Sequence, residues 1–295
     1  MARPNRYQIM DLFKEDIISE LKQKNDLLLS LSDIESVLAA NRRDWRLPES
    51  TTLFEFLEYL VTKKHILKPL EFGTESRKVK KYIYTKNSNI DINLLALSLY
   101  SNSYLSHYSA VMFHDLTDEI IKSKYVNHEQ SKKEKKGTIT IAQQNIDNAF
   151  SKPMRSTNNF LDYNEQRIYI INGKFSDNLG VINRNNIKVT DIERTLIDIT
   201  VRPQYAGGVY EVLKTFKKAQ GEASVNRIAT YLKKLEYIYP YHQAIGFYLE
   251  RAGYKENAIN SFESKFSLNQ NFYLTYDMKD TAYDKRWQLY YPKNI

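Results

Sequence analysis

Apolar residues at Ile9, Leu12, Phe13, Ile17 and Leu21 alternate with charged positions, which predicts an amphipathic helix from Tyr7 to about Lys24. Ser32 and Glu35 then have the spacing of a capping box, and a short helix through Ile34, Val37 and Leu38 should end near Asn41. The stretch Arg42-Arg43-Asp44-Trp45-Arg46-Leu47-Pro48 is polar, basic and closed by a proline, so it reads as a connector with Trp45 as a local core plug. Thr52 with Glu55 repeats the capping box, and Leu53, Phe56, Leu57, Leu60 and Val61 carry a third helix. Beyond Lys63-Lys64 the period changes. Two short strands are expected around Gly73-Thr74-Glu75-Ser76, the first at a sheet edge because Pro69 has no amide to donate.

Helix, helix, connector, helix and ribbon in this order is the arrangement of a winged helix-turn-helix, which puts duplex DNA first among partners for residues 1–90. The helix starting near Ser50, Thr51 and Thr52 would enter the major groove, with Arg42, Arg43 and Arg46 flanking its N-terminus. The acid-free basic run holding Arg77, Lys78, Lys80 and Lys81 would rest on phosphate, and Arg3 and Arg6 would reach a minor groove. Against this, Glu55 and Glu58 on the recognition helix would repel phosphate. Glu55 is the partner of Thr52, while Glu58 has no evident role in the sequence. A protein-docking use of the same unit stays open.

Past the polar stretch Asn87-Ser88-Asn89, which reads as a linker, the pattern is mixed. A helix capped by Ser106 should end before Leu116-Thr117, and its His107 and His114 lack a third ligand for a metal. Strand-like runs follow at Thr138 to Ile141, Arg167 to Ile171 and Val181 to Val189, with Lys132 to Lys136 as a solvated loop. Thr190 and Glu193 form a third possible capping box, and Arg194 with Asp198 makes an i,i+4 pair; those spacings weigh against a magnesium site at Asp191, Glu193 and Asp198. Helices are expected at Val209 to Lys218, Ser224 to Leu235, Tyr241 to Ala252 and Asn257 to Phe266, before a strand pair at Asn271 to Tyr276 and Arg286 to Tyr291. The fold class is α+β: an N-terminal winged helix-turn-helix, residues 1–90, then a mixed α/β domain, residues 91–295, with a helical C-terminal lobe.

Composition narrows the chemistry. The 295 residues make about two domains at roughly 150 each. Lys and Arg number 43 against 35 acids, a net +8 that favours anionic partners. With no cysteine there is no disulfide, thiolate nucleophile or iron–sulfur cluster. The nine glycines form neither G-x-G-x-x-G nor a P-loop, so neither nucleotide hydrolysis nor a cofactor is expected; H-E-x-x-H and G-x-S-x-G are absent, while a Ser-His-Asp set assembled in space stays open. A nuclease built on Asp191, Glu193 and a distant lysine is the enzymatic alternative. No apolar run approaches the ~20 residues a bilayer needs, and the start lacks a leader's apolar core, which predicts a cytoplasmic protein with no membrane partner.

Two stretches together resemble the AbiEi-type antitoxins of toxin–antitoxin and abortive-infection systems. They are Tyr104 to Ala110 with His114-Asp115-Leu116-Thr117, and Val189 to Asp198 with Tyr205-Ala206-Gly207-Gly208; Gly246 to Tyr254 looks similar too. The resemblance covers about Leu94 to the C-terminus, behind the winged helix that this family usually carries. It implies a phage-defence protein that represses transcription of its own operon by binding the operator. It also implies neutralisation of a cognate toxin of nucleotidyltransferase type, with no catalysis of its own.

Overall fold

The computed structural model describes residues 4–25, 28–73, 78–85, 91–132 and 141–295. Arg3, Arg77, the linker at 87–89, Lys133 to Lys136 and the strand positions 138–140 lie outside the described residues. The chain divides into two compact units, Met1–Ser98 with Leu161–Asn164, and Leu99–Phe160 with Glu165–Ile295. The first unit therefore runs past residue 90, taking in the helix Ile92–Leu97.

In the first unit the expected single N-terminal helix is two, α1 (Arg6–Leu12) and α2 (Lys14–Lys24), which break at Phe13. A strand not visible in the pattern, β1 (Leu28–Leu29), precedes α3 (Leu31–Asn41). Two leucines are too few to display a period of two, so only pairing with another strand reveals β1. The cap of α3 is Ser30 with Asp33, two residues ahead of the expected Ser32 and Glu35. The Ser30 amide donates to Asp33 at 2.8 Å, and both leucines of β1 are buried up to that point. Next comes α4 (Leu53–Leu57), capped as expected by Thr52 and Glu55 and continued by a wider π-helical turn, Glu58–Lys63.

Strands β2 (Leu67–Gly73) and β3 (Lys78–Tyr84) form the antiparallel ribbon, with Leu67 opposite Tyr84 and Gly73 opposite Lys78. The sheet order is β1-β3-β2, so Pro69 does lie on an edge strand, where its missing donor costs no ladder bond. The unit closes with α5 (Ile92–Leu97). Met10, Ile17, Leu29, Trp45, Phe56, Tyr59 and Tyr82 share its core, and Trp45 stacks on Phe56 with ring centroids 5.9 Å apart.

The second unit is built on a mixed sheet. Its strands are β4 (Tyr104–Leu105), β5 (Ser123–Asn127), β7 (Gln166–Ile171), β8 (Val181–Arg184) and β9 (Ile187–Thr190), in the order β7-β5-β4-β9-β8, while β6 (Phe160–Tyr163) belongs to the first unit from Leu161 on. Pairings β5 with β7 and β4 with β9 are parallel, and β8 with β9 is an antiparallel hairpin. Against it lie α6 (His107–Phe113) and α8 (Ile192–Val201), the latter followed by the 3-10 turn Pro203–Ala206, while α7 (Gln143–Phe150) packs its Phe150 on Phe272 and Tyr276.

Then come α9 (Val209–Lys218), α10 (Val225–Leu235), α11 (Tyr241–Arg251) and α12 (Glu256–Glu263), all close to the ranges their periodicity predicts. The left-handed backbone at Gly207 (φ 77) and Gly208 (φ 93) ends the 3-10 turn and starts α9, a conformation that accounts for paired glycines there. The expected terminal strand pair is a three-stranded sheet, β10 (Phe272–Tyr273), β11 (Thr281–Asp284) and β12 (Leu289–Pro292), in the order β10-β12-β11. Among the described residues no helix is long and apolar enough to cross a membrane.

Candidate functional site

Two constellations bring sequence-selected residues together, one in each unit. In the first, the Thr52 hydroxyl accepts the Glu55 amide at 3.3 Å and the Thr52 amide donates to the Glu55 carboxylate at 2.8 Å, which sets the start of α4. Thr51 is buried and faces inward, whereas Ser50 and Thr52 are exposed. Arg42 does not point outward as a phosphate contact. Its Nη1 donates to the carbonyls of Pro48 (3.2 Å), Glu49 (2.7 Å) and Thr51 (2.8 Å), tying the connector to the helix start. Arg43 and Arg46 are exposed beside it.

The two acids of this helix are taken up internally. Arg6 ion-pairs with Glu55, so it sits on α1 rather than in a free basic tail. Glu58, for which the sequence shows no role, accepts the Tyr7 hydroxyl at 2.6 Å and pairs with Lys63 at 3.3 Å. The Thr52 amide, ahead of Arg6, holds the Glu55 carboxyl below its ordinary range, and the Tyr7 hydroxyl, ahead of Lys63, does so for Glu58. On the ribbon Lys78 and Lys80 are exposed, Lys80 in a loose cross-strand pair with Glu71 at 3.4 Å. Such an exposed pair is worth little and leaves the amine available. Lys81 is half-buried, and desolvation lowers its pKa against the pull of Asp33.

In the second unit the residues Thr190 to Asp198 start α8, but with a different cap from the expected one. Asp191 is the N-cap and accepts the Arg194 amide at 2.8 Å and the Tyr231 hydroxyl at 2.8 Å. Thr190 instead places its hydroxyl 2.8 Å from that of Thr195. Glu193 reaches away from α8, accepting the Ser224 amide at 2.8 Å and pairing with Arg227 at 3.2 Å, so it ties α8 to the start of α10. The Thr190–Glu193 box is therefore not formed: the cap one residue later turns Glu193 toward another helix. The expected i,i+4 pair is present and buried, Arg194 Nε donating to Asp198 at 2.8 Å with the side chains 5% and 7% exposed. Arg194 Nη1 also donates to Ser176 Oγ (3.0 Å) and the Leu179 carbonyl (2.8 Å).

Beside this pair opens a cavity of about 460 Å³, lined among others by His107, Arg155, Lys174, Arg194, Asp198, Arg202, Tyr205 and Tyr237. Of these the sequence reading had selected only His107, Arg194, Asp198 and Tyr205. Arg155, Lys174, Arg202 and Tyr237 carry no local signature, because connecting segments far apart in the chain deliver them. His107 begins α6 in the left-handed region (φ 51) and is buried, its Nδ1 2.9 Å from Ser106 Oγ and its ring edge-on to Tyr205 at 5.4 Å. Ser106 thus engages the imidazole and makes no side-chain cap. His114, the second histidine of that helix, places Nε2 2.7 Å from the Thr190 carbonyl.

Burial pushes the His107 imidazole down to about 4, with nearby Asp198 opposing the shift. In the unfolded chain it titrates near its ordinary 6.5, so between those values the unfolded state binds the extra proton. The stability this histidine contributes is full above pH 6.5 and is lost as pH falls toward 4. Urea unfolding at pH 5 is expected to show about 2 kcal/mol less stability from this group than at pH 7.5. His107→Asn, which tolerates the left-handed backbone, should shrink the pH difference by that amount, and an unchanged difference would overturn the assignment.

No family model matches the chain, and no curated protein matches it. Among solved structures it is similar to the crystal structure of the Rv2827c protein from Mycobacterium tuberculosis, with a TM-score of 0.59 over 95% of this chain and 91% of that one, at 12% identity. At that identity the likeness is one of fold alone, and it agrees with the mixed α+β architecture.

Proposed function

We propose that the chain is a DNA-binding antitoxin that represses its own operon and neutralises a cognate toxin of nucleotidyltransferase type. The observation that carries the DNA half is the first unit's arrangement. Two helices, a strand, two further helices and a two-stranded ribbon follow one another with sheet order β1-β3-β2, an order that supports a winged helix-turn-helix preceded by one extra helix. In that reading α4 enters the major groove, Arg43 and Arg46 meet phosphates at its capped start, and Lys78 and Lys80 touch the backbone from the ribbon. The pairing of Glu55 and Glu58 with Arg6, Tyr7 and Lys63 supports it by cancelling the charges that would oppose phosphate.

Affinity for operator DNA should fall by orders of magnitude between roughly 50 and 200 mM salt, because each phosphate contact releases counterions. Lys78→Glu with Lys80→Glu should weaken binding to every sequence and lower the salt slope by about 2. Affinity that does not change with salt overturns the reading. It would favour a protein-docking unit instead, an alternative supported by Phe54, 76% exposed on α4, and Leu12, 77% exposed on α1.

The antitoxin half rests on the resemblance at Tyr104 to Thr117, Val189 to Gly208 and Gly246 to Tyr254. Its test is co-purification of the full chain with the product of the neighbouring gene, together with protection of cells that express that product. Neither association nor protection would remove this half while leaving DNA binding intact.

A further inference from the structure

The cavity beside Arg194 holds more positive charge than its own structure consumes. Among the described residues Asp198 is the one carboxylate lining it, and that charge is already met by Arg194 at 2.8 Å. Arg155, Lys174 and Arg202 remain as further cations around the same space. Arg202 spends one donor on the Arg155 carbonyl at 3.1 Å, and Lys174 donates to the Leu235 and Glu236 carbonyls that end α10. Among the described residues neither Arg155 nor Arg202 is paired with an acid, so two positive charges face the cavity beyond the Arg194–Asp198 pair. The Arg155 guanidinium is exposed at the rim, beside Ser156 and Asn172.

Inside, the polar heads of two aromatic side chains are unengaged. Among the described residues neither the His107 Nε2 nor the Tyr237 hydroxyl has a hydrogen-bond partner, although both side chains line the cavity. His107 is also held at a left-handed φ of 51, and such backbone strain in a non-glycine residue gathers where a ligand is gripped. Burial keeps Tyr237 protonated and His107 neutral at pH 7, so the two offer neutral hydrogen-bonding groups beneath a cationic rim. About 460 Å³ lies within the range of small-molecule sites, and Tyr205 and Tyr237 supply aromatic wall.

We propose that this cavity binds a mononucleotide, with Arg155 and Arg202 on its phosphate and the tyrosine-lined interior around its base. A cationic rim selects for a phosphate, and an aromatic interior of this size selects for a ring system attached to it. The inference is independent of DNA binding by the first unit, whose Lys78 and Lys80 lie outside the cavity lining.

Isothermal titration calorimetry of the full chain with AMP, GMP, CMP, UMP, inorganic phosphate and adenosine tests it. At least one mononucleotide should bind, with phosphate alone and adenosine alone weaker by about tenfold or more. Arg155→Gln with Arg202→Gln should weaken the mononucleotide by about tenfold or more, since charge-assisted bonds to phosphate are lost. Arg155 is exposed, so its single variant folds normally and keeps the test readable if the double variant does not. Lys78→Glu with Lys80→Glu should leave nucleotide affinity unchanged while weakening DNA. No binding at millimolar concentration, equal affinity for phosphate and mononucleotide, or loss of nucleotide binding in the ribbon variant alone each overturns the proposal.

Discussion

Arg194→Ala is expected to lower the unfolding free energy by about 3–5 kcal/mol in urea titration, a large share of a domain's whole stability. The guanidinium is 5% exposed and satisfies Asp198, Ser176 and the Leu179 carbonyl at once. Its removal strands a carboxylate that is 7% exposed, and the cost lies in leaving that charge buried without a partner. Removing both charges in Arg194→Met with Asp198→Leu should therefore cost less than Arg194→Ala alone. A single variant within about 1 kcal/mol of the native chain, or a double variant worse than the single, would contradict this account. Toxin neutralisation should decline together with the folded fraction. Full stability with lost neutralisation would make Arg194 a contact residue instead of an architectural one.

Gly246→Ala should also destabilise, by about 1–3 kcal/mol or more, although alanine in a helix interior ordinarily gains about 0.5–1 kcal/mol over glycine. Gly246 lies inside α11, where an added Cβ would run into the six-membered ring of Trp287. That ring cannot step aside. Trp287 is 1% exposed, its Nε1 donates to Glu250 at 2.7 Å, and its amide donates to Asp284 at 3.0 Å. Pairing the substitution with Trp287→Phe should recover part of the loss in thermal unfolding, because the smaller ring vacates the volume the methyl needs. A Gly246→Ala protein that melts at or above the native temperature would show that the indole has room to move. The first glycine of the run Gly246 to Tyr254 thus has a packing reason for being there.

Local chemistry was legible where the signal and its partner lie within one helical turn. The Thr52–Glu55 cap, the edge position of Pro69 and the apolar stripes of α9 to α12 are such cases, since an i to i+4 relation is written in consecutive residues. Strand β5 was not legible. Its Lys124 is buried along with Tyr125, Val126 and Asn127, so alternation of exposed and buried positions disappears. Competing caps one or two residues apart, Ser30 or Ser32 and Thr190 or Asp191, are equivalent in a linear pattern. Packing of the preceding strand in one case and the reach of Glu193 to α10 in the other made the choice.

The sequence by itself determined an α+β chain with a helical, helical, ribbon start, a basic local charge pattern and an i,i+4 spacing of Arg194 and Asp198. Only the tertiary structure decided which charges are available. It turned Arg42 inward onto three carbonyls, used Arg6 and Tyr7 to quiet Glu55 and Glu58, and gathered His107, Arg155, Lys174, Arg202 and Tyr237 around one cavity. The reason is one of range. Capping and periodicity are energies between neighbours in the chain, whereas desolvation and ion pairing are energies between neighbours in space, and those exist only once the sheets and helices have packed.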